Sequence, residues 1–252
     1  MDKYVLEACT DCVESAIAAQ EGGADRIELC SNLVIGGVTP GSALFKLVKK
    51  YTDIDIRVLL RPRYGDYCYN SYEFEQLKEE VQMYREYGAK GVVIGMLNPD
   101  GTLDTGRMAE LIKAADGIDV ALHRAFDVCV DPMEAMEQAT SLGMKTILTG
   151  GQCGTAWEGR DLLASLEKKS RGRIEILAAG GIGAGPIEKL VPFTGITSYH
   201  MSGKIEVDSA LKYRKEGASM GLPERDEYIL WKTSREKIRE AREILEKQAA
   251  AL

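Results

Sequence analysis

Short apolar runs rich in β-branched residues alternate along the chain with longer stretches whose apolar residues recur at helical spacing. The strand-like runs are residues 4–8, 26–30, 54–61, 91–95, 118–123, 145–149, 174–179 and 196–200. Helical spacing lies between them, most clearly at residues 71–87, 104–115 and 132–142. A regular alternation of strands and helices predicts parallel strands that are joined by right-handed helical crossovers.

Eight such units in 252 residues predict the class of fold. A TIM (β/α)8 barrel takes roughly 250 residues, so we expect a single α/β domain over residues 1–252 whose strands close into a barrel. The predicted strands end near residues 9, 30, 61, 95, 123, 149, 179 and 200. A long C-terminal helix over residues 231–250 is predicted to complete the outer ring of helices.

The composition, with 45% apolar and 28% charged residues, is typical of a soluble globular protein. A net charge of −7 argues against nucleic acid or an anionic membrane as the main partner, because both attract basic surfaces. No apolar run is long enough to span a bilayer, and the first residues lack the apolar core of a signal peptide. The six cysteines are therefore predicted to be reduced thiols of a cytoplasmic protein.

Polar and ionisable residues recur where the predicted strands end. Active sites of TIM barrels lie at that end of the strands, and both histidines of the chain fall there. The candidate catalytic residues are Glu7, Glu28, Arg61, His123, Asp127 and His200. Because side chains alternate between the faces of a strand, Glu7 and Glu28 are predicted to point into the barrel, with Arg61 as their charged partner. A buried Glu–Arg network that only stabilises the barrel is the alternative.

The residue types indicate how such a centre works. When two carboxylates lie close together, the pKa of one of them rises, which suits proton transfer. Asp127 is predicted to orient the imidazole of His123, and Arg61 is predicted to bind an anionic or carbonyl oxygen of a small substrate. A histidine that only bonds a backbone carbonyl is the alternative for His123. Further anion-binding residues are predicted at four strand ends, two of them where many barrels bind phosphate: Arg63, Thr149, Gly180, Gly181 and Ser202.

Cys9 and Cys30 form a candidate metal site. They end neighbouring predicted strands with the same parity, so their sulfur atoms are predicted to lie close together. Sulfur ligands favour soft ions such as Cu(I), whereas buried cysteines that only fill the core are the alternative. Carboxylate and imidazole groups suit harder ions such as Mn, Fe or Zn, but the cation of Arg61 counts against a metal ion beside Glu7, Glu28 and His123.

Several segments resemble one known family: "LEAC", "GGADRIELCSNLVIGGVTPG", "LLRPRYGDYCYN", "GVVIGMLNPDG", "ALHRAFD" and "TILTGG". They are similar to the motifs of the CutC family, the so-called copper-homeostasis proteins, and "GGADRIELC" together with "HRAFD" is highly specific. The resemblance implies a cytosolic TIM barrel and suggests copper as the metal. It matches the family pattern at Glu7, Glu28, Cys30, Arg61, Arg63, His123, Arg124, Asp127 and His200.

Four residues depart from that pattern: Cys12 and Gly150 stand where the family usually has serine, Tyr64 stands where it has glycine, and Cys68 stands where it has an apolar residue. A family role for the hydroxyl at position 150 is therefore not carried over. Three classes of function stay open. The chain is a copper-binding or copper-trafficking protein, an isomerase- or lyase-type enzyme with acid/base chemistry on a small oxygenated or phosphorylated molecule, or a protein that binds such a molecule without turnover. The assembly stays open between a monomer and a homo-oligomer.

Overall fold

The computed structural model describes residues 4–215, 217, 221–222 and 225–250. Eight parallel strands form a closed barrel in chain order, and each ends within two residues of its predicted end. The TIM-barrel fold is therefore confirmed. The strands are β1 Val5–Thr10, β2 Arg26–Leu29, β3 Asp55–Leu59, β4 Gly91–Ile94, β5 Asp119–Leu122, β6 Thr146–Thr149, β7 Glu175–Ala178 and β8 Ser198–Met201.

Helices surround the barrel, and local sequence signals explain where some of them begin. Asn70 and Glu73 form a capping box at one helix, and Asp131 caps another that has Pro132 at its first position. Among the described residues, no helix is long and apolar enough to cross a bilayer. The helices are α1 Val13–Gly22, α2 Ser42–Tyr51, α3 Ser71–Glu86, α4 Thr105–Ala115, α5 Pro132–Ser141, α6 Arg160–Ser170, α7 Ala184–Thr194 and α8 Arg235–Ala250.

Strand parity decides which side chains enter the barrel. In β1 and β2, Leu6, Ala8, Ile27 and Leu29 are fully buried in the large apolar core that the barrel shares with the helices. The intervening positions of a strand face the other way, which turns the carboxylates of β1 and β2 towards the barrel interior. Polar groups thus enter the barrel through the same alternation that builds its apolar exterior.

The last predicted helix is wrong at its start. Trp231 lies in strand β10 (Ile229–Thr233), which pairs antiparallel with strand β9 (Lys204–Asp208), and α8 begins only after this ribbon. The aromatic and β-branched residues of β10 favour a strand when a partner is present. The ammonium of Lys204 lies 3.3 Å from the centroid of the Trp231 ring, a cation–π contact across the ribbon.

Candidate functional site

A cavity of about 980 Å³ opens at the end of the barrel where the strands terminate. Five of the six candidate catalytic residues line it, and so do three of the predicted anion-binding residues and one cysteine. These residues are Glu28, Arg61, His123, Asp127 and His200, then Gly180, Gly181 and Ser202, and Cys9. Glu7 does not line the cavity but lies below it, only 1% exposed.

The carboxylate of Glu7 holds two cations in the barrel interior. Its Oε1 lies 2.8 Å from Nδ1 of His200, and its Oε2 accepts a hydrogen bond of 2.5 Å from Nε of Arg26. Burial alone raises the pKa of Glu7, but the hydrogen bond from His200 and the charge of Arg26 outweigh it and lower the pKa to about 2. The predicted pairing with Arg61 is wrong, because register places Glu7 opposite Arg26 and His200 instead.

A second carboxylate continues this network towards the opposite end of the barrel. Arg26 also donates to Glu175 at 3.0 Å, and the hydroxyls of Thr146 and Ser198 donate to the same carboxylate. Arg57 bonds Thr146 and lies within 4 Å of both Glu7 and Glu175. Buried charges are tolerated when they are paired and hydrogen-bonded, so these residues form a supporting layer beneath the cavity.

His200 is the histidine that is surrounded by acidic groups. Its Nε2 lies 3.9 Å from Oε2 of Glu28, while its Nδ1 faces Glu7. Burial disfavours the charged ring, but the side chains of Cys9, Glu7 and Glu28 raise the pKa of His200 well above its usual value. These surroundings favour the imidazolium form of His200, in which Nδ1–H donates a hydrogen bond to Glu7.

Glu28 has the opposite environment from Glu7. Its Oε2 accepts a hydrogen bond of 3.3 Å from the Cys9 thiol, and its Oε1 is buried with no hydrogen-bond partner among the described residues. Burial raises the pKa of Glu28, and the neighbouring charge of Glu7 adds to the rise while the charge of His200 opposes it. Two carboxylates of one site thus have pKa values shifted in opposite directions.

The two predicted metal-binding cysteines lie at the edge of this cluster. Sγ of Cys9 is 3.7 Å from Sγ of Cys30, and the hydrogen bond with Cys30, together with burial, raises the pKa of the Cys9 thiol well above its usual value. Ligand atoms of Cys9, Glu28 and His200 all lie within 4.8 Å of one another. This trio is a group that can hold a metal ion.

The surroundings of His123 differ from those of His200. Its Nδ1 accepts a hydrogen bond of 3.1 Å from the backbone N–H of Ala125, and its ring packs on that of Tyr67 with centroids 4.8 Å apart. Burial and the charge of Arg61 lower the pKa of His123 to about 3. Its ring is therefore neutral at physiological pH, and because Nδ1 is an acceptor, the proton resides on Nε2.

The predicted contact between Asp127 and His123 is wrong. A 3₁₀ turn over Arg124–Val128 carries the carboxylate towards the end of β6, away from the ring. There Asp127 pairs with Arg124 at 2.6 Å and accepts from Thr149 and from the backbone of Gly150. Asp127 thus fixes the loops around the cavity, and Thr149 is fully buried against it rather than free to bind an anion.

Two arginines of the segment "RPR" have different surroundings. Arg63 lies outside the cavity and pairs with Glu73 at 2.6 Å and Asp66 at 2.9 Å, so it is not brought together with the other predicted substrate-binding residues. Arg61 is 7% exposed and lines the cavity, where it donates to backbone carbonyls, with Gly65 the nearest at 2.6 Å. Within the described ranges, Arg61 has no carboxylate partner.

Sequence reasoning missed two residues of the site, Arg26 and Tyr67, and gave no place in the cavity to a third, Arg124. Arg26 begins its strand instead of ending it, although its parity, the same as that of Glu28, places it inside the barrel. Tyr67 lies in a loop, where no periodicity indicates its direction. Arg124 follows His123 with the opposite parity, but the 3₁₀ turn returns its side chain to the cavity wall.

The chain is similar to a known family over most of its length. A model of the CutC family matches residues 4–205. A relative from Histophilus somni with the name "family protein CutC" is 40% identical over 92% of this chain and 96% of its own length. One of the same name from Bacteroides thetaiotaomicron is 42% identical over 88% of this chain and 89% of its own length.

Solved structures show the same fold. A CutC protein from Streptococcus agalactiae, whose name connects it with copper homeostasis, is similar with a TM-score of 0.75 and 28% identity, over 79% of this chain and 98% of that one. Thiamine phosphate pyrophosphorylase from Pyrococcus furiosus has a TM-score of 0.58 and 19% identity, over 98% of this chain and 97% of that one. The second similarity indicates the barrel alone.

Removal of Arg26 tests the supporting layer. Arg26→Met leaves the buried carboxylates of Glu7 and Glu175 short of a cation, so we expect the free energy of unfolding to fall by about 3–5 kcal/mol in urea denaturation. Arg173→Met is the matched control, because Arg173 forms a surface ion pair with Glu137, and it is expected to change stability little. Equal stability of the two variants would contradict a structural role for the layer.

Arg26→Met is also expected to change how the stability of the protein depends on pH. The folded pKa of Glu7, about 2, lies below its ordinary value of 4.5. The stability that Glu7 contributes is therefore complete above pH 4.5 and is lost as pH falls towards 2. In Arg26→Met the folded pKa of Glu7 rises towards 4.5, so the loss of stability still begins near pH 4.5 but is smaller and is complete at a higher pH than in the wild type, as urea denaturation across this pH range would measure.

Proposed function

This chain belongs to the CutC family, and from that premise we propose that it is an enzyme that transfers protons on a small oxygenated molecule at the mouth of the barrel. The observation that carries the proposal is the position of His200 between Glu7 and Glu28, whose pKa values are shifted in opposite directions. Environments that separate the pKa values of neighbouring groups are typical of acid/base centres.

The contacts of each group suggest its part in the reaction. Glu28 is the general base, since its unpartnered Oε1 is available to accept a proton and its raised pKa makes it a stronger base than an ordinary carboxylate. His200 is the general acid, since it is protonated and directs Nε2 towards the cavity side of the cluster. Glu7, supported by Arg26, is a positioning residue that keeps the ring charged and fixed. Of the residues first expected to form the acid/base centre, Glu28 and His200 keep that role in this proposal, and His123 and Asp127 do not.

Substrate and location follow as parts of the proposal. A cavity of this size takes a small molecule, and the cation of Arg61 favours one with an anionic or carbonyl oxygen. All six cysteines are free thiols, which supports a place in the reducing cytoplasm.

Copper binding is the second candidate function, favoured by the trio of Cys9, Glu28 and His200 with Cys30 beside it. The two sulfur atoms suit Cu(I), a soft ion that copper handling would carry as cargo. The protonation states of Cys9 and His200 fit Cu(I) binding less well. The raised pKa of the Cys9 thiol opposes formation of a thiolate, and His200 must release a proton before it can act as a ligand.

A substrate screen tests the enzyme directly. Small sugars, sugar phosphates and hydroxy acids are incubated with the protein in D2O, and incorporation of deuterium into carbon positions is followed by proton NMR. On any compound that reacts, Glu28→Gln and His200→Gln are each expected to lose about 10²–10⁴ in rate, the usual contribution of a general acid or base.

The control for this screen is Glu110→Gln. Glu110 lies on the exposed face of α4 and pairs with Lys78, so this variant keeps the wild-type rate. Wild-type rates in both site variants would contradict the proposal. A compound that raises the melting temperature but is left chemically unchanged would indicate a binding protein instead.

Copper binding is tested with the reduced protein against a Cu(I) chelator. We expect affinity to fall sharply in the double variant Cys9→Ser/Cys30→Ser and to stay unchanged in His123→Gln, because only the first removes sulfur ligands. Affinity in the wild type should rise with pH, since the Cys9 thiol must lose its proton. Unchanged affinity in the double variant rejects this copper site.

A further inference from the structure

Three buried polar atoms around one cavity have no hydrogen-bond partner among the described residues. They are Oε1 of Glu28, Nε2 of His123 and Nε of Arg61, and all three residues line the cavity. An unsatisfied buried polar atom costs roughly 1–3 kcal/mol, so three around one cavity indicate a missing partner. One of the three atoms is an acceptor and two are donors.

His123 is held as a neutral hydrogen-bond donor. The N–H of Ala125 occupies Nδ1, which leaves the only ring proton on Nε2. The ring is closely packed, because a Cβ at Gly95 would lie only 2.5 Å from its Cε1 and the ring of Tyr67 packs against it. A donor held this rigidly is already oriented before a substrate arrives.

Arg61 is a buried cation whose charge is not balanced by a carboxylate in the described part of the chain. Its terminal nitrogens donate to the backbone carbonyls of Ile35, Gly37 and Gly65, so only Nε is left without an acceptor. Backbone carbonyls stabilise a guanidinium but do not neutralise it. A negative charge on the ligand, or one that develops during reaction, provides the missing compensation.

We propose that Nε2–H of His123 and Nε–H of Arg61 together bind the carbonyl oxygen of the substrate and stabilise it as an enolate. The substrate class is then an aldehyde or ketone, in particular an α-hydroxy carbonyl compound, with an acidic hydrogen on the carbon next to the carbonyl. The inference relies on the proposed function for the identity of the general base, Glu28. The ring of Tyr67 packs against both His123 and Arg61, so one aromatic side chain borders both donors.

The step balances without an oxidant or a reductant. Oε1 of Glu28 takes the proton from the α-carbon, and the electron pair of that C–H bond forms the carbon–carbon double bond. The π pair of the carbonyl moves to its oxygen, whose negative charge is stabilised by His123 and Arg61. Return of the proton from Glu28 to the same carbon completes an exchange and restores the base. In an α-hydroxy compound, passage of the hydroxyl proton to the enolate oxygen and of the Glu28 proton to the former carbonyl carbon completes an isomerisation.

Binding of an enolate mimic tests the donor pair without turnover. The probes are glycolohydroxamate, which resembles the enediolate, glycolamide, which resembles the carbonyl substrate, and glycolate, a plain carboxylate. Calorimetric titration of the wild type should give an affinity for the hydroxamate about 10²-fold higher than for the amide, the lower end for analogues of a reaction intermediate. An affinity for glycolate equal to that for the hydroxamate would show an anion site only and overturn the proposal.

Variants separate this inference from the proposed function. The preference for the hydroxamate should disappear in Arg61→Met and in His123→Phe, and remain in Arg63→Met, the neighbouring arginine outside the cavity. It should also remain in Glu28→Gln, which abolishes the base. A hydroxamate that binds no tighter than the amide in the wild type overturns the donor pair even if proton exchange is observed. Failure of exchange with the preference intact overturns only the acid/base proposal.

Discussion

The buried carboxylate of Glu7, bonded at once to Arg26 and His200, is the interaction on which the rest of the site depends. Burial disfavours the charged ring of His200, and Glu7 acts together with Cys9 and Glu28 to raise the pKa of that ring. Glu7 also fixes the ring in place through the contact with Nδ1. Arg26 also pairs with Glu175, which continues the pairing of opposite charges through the barrel. The apolar shell of helices thus surrounds an interior whose buried charges are paired.

The two histidines differ in their neighbours more than in their burial, since the His123 ring is buried and only 12% of the His200 side chain is exposed. His200 faces carboxylates and gains a proton, whereas His123 faces the cation of Arg61 and a backbone N–H and loses one. One ring therefore suits transfer of a proton, and the other suits donation of a fixed hydrogen bond. Preorganised donors beside an acid/base pair are the arrangement expected where charge develops on a substrate oxygen.

Much of the fold, but less of the site, was predictable from the sequence. Alternation of period two placed Glu7 and Glu28 inside the barrel, and residue order placed the cavity at the strand ends. The charged partners of these carboxylates were harder to predict, because they depend on the register between strands. Glu7 lies opposite Arg26, not Arg61. The turn after His123 carried Asp127 away from the ring, and the pairing of β9 with β10 overrode the helical pattern at Trp231. Each error arose where a contact distant in sequence decided a local direction.

Nitrogen-15 NMR of the imidazole rings reports the protonation state of both histidines, because the chain has only two. At pH 7 we expect one ring with both nitrogens protonated, assigned to His200 by its absence in His200→Gln, and one neutral ring protonated at Nε2, assigned to His123. The His123 ring should stay neutral down to about pH 3, and the His200 ring should lose its proton only well above the ordinary imidazole range. Two rings that both titrate near pH 6.5, or a neutral His200 beside a charged His123, would contradict these opposite roles.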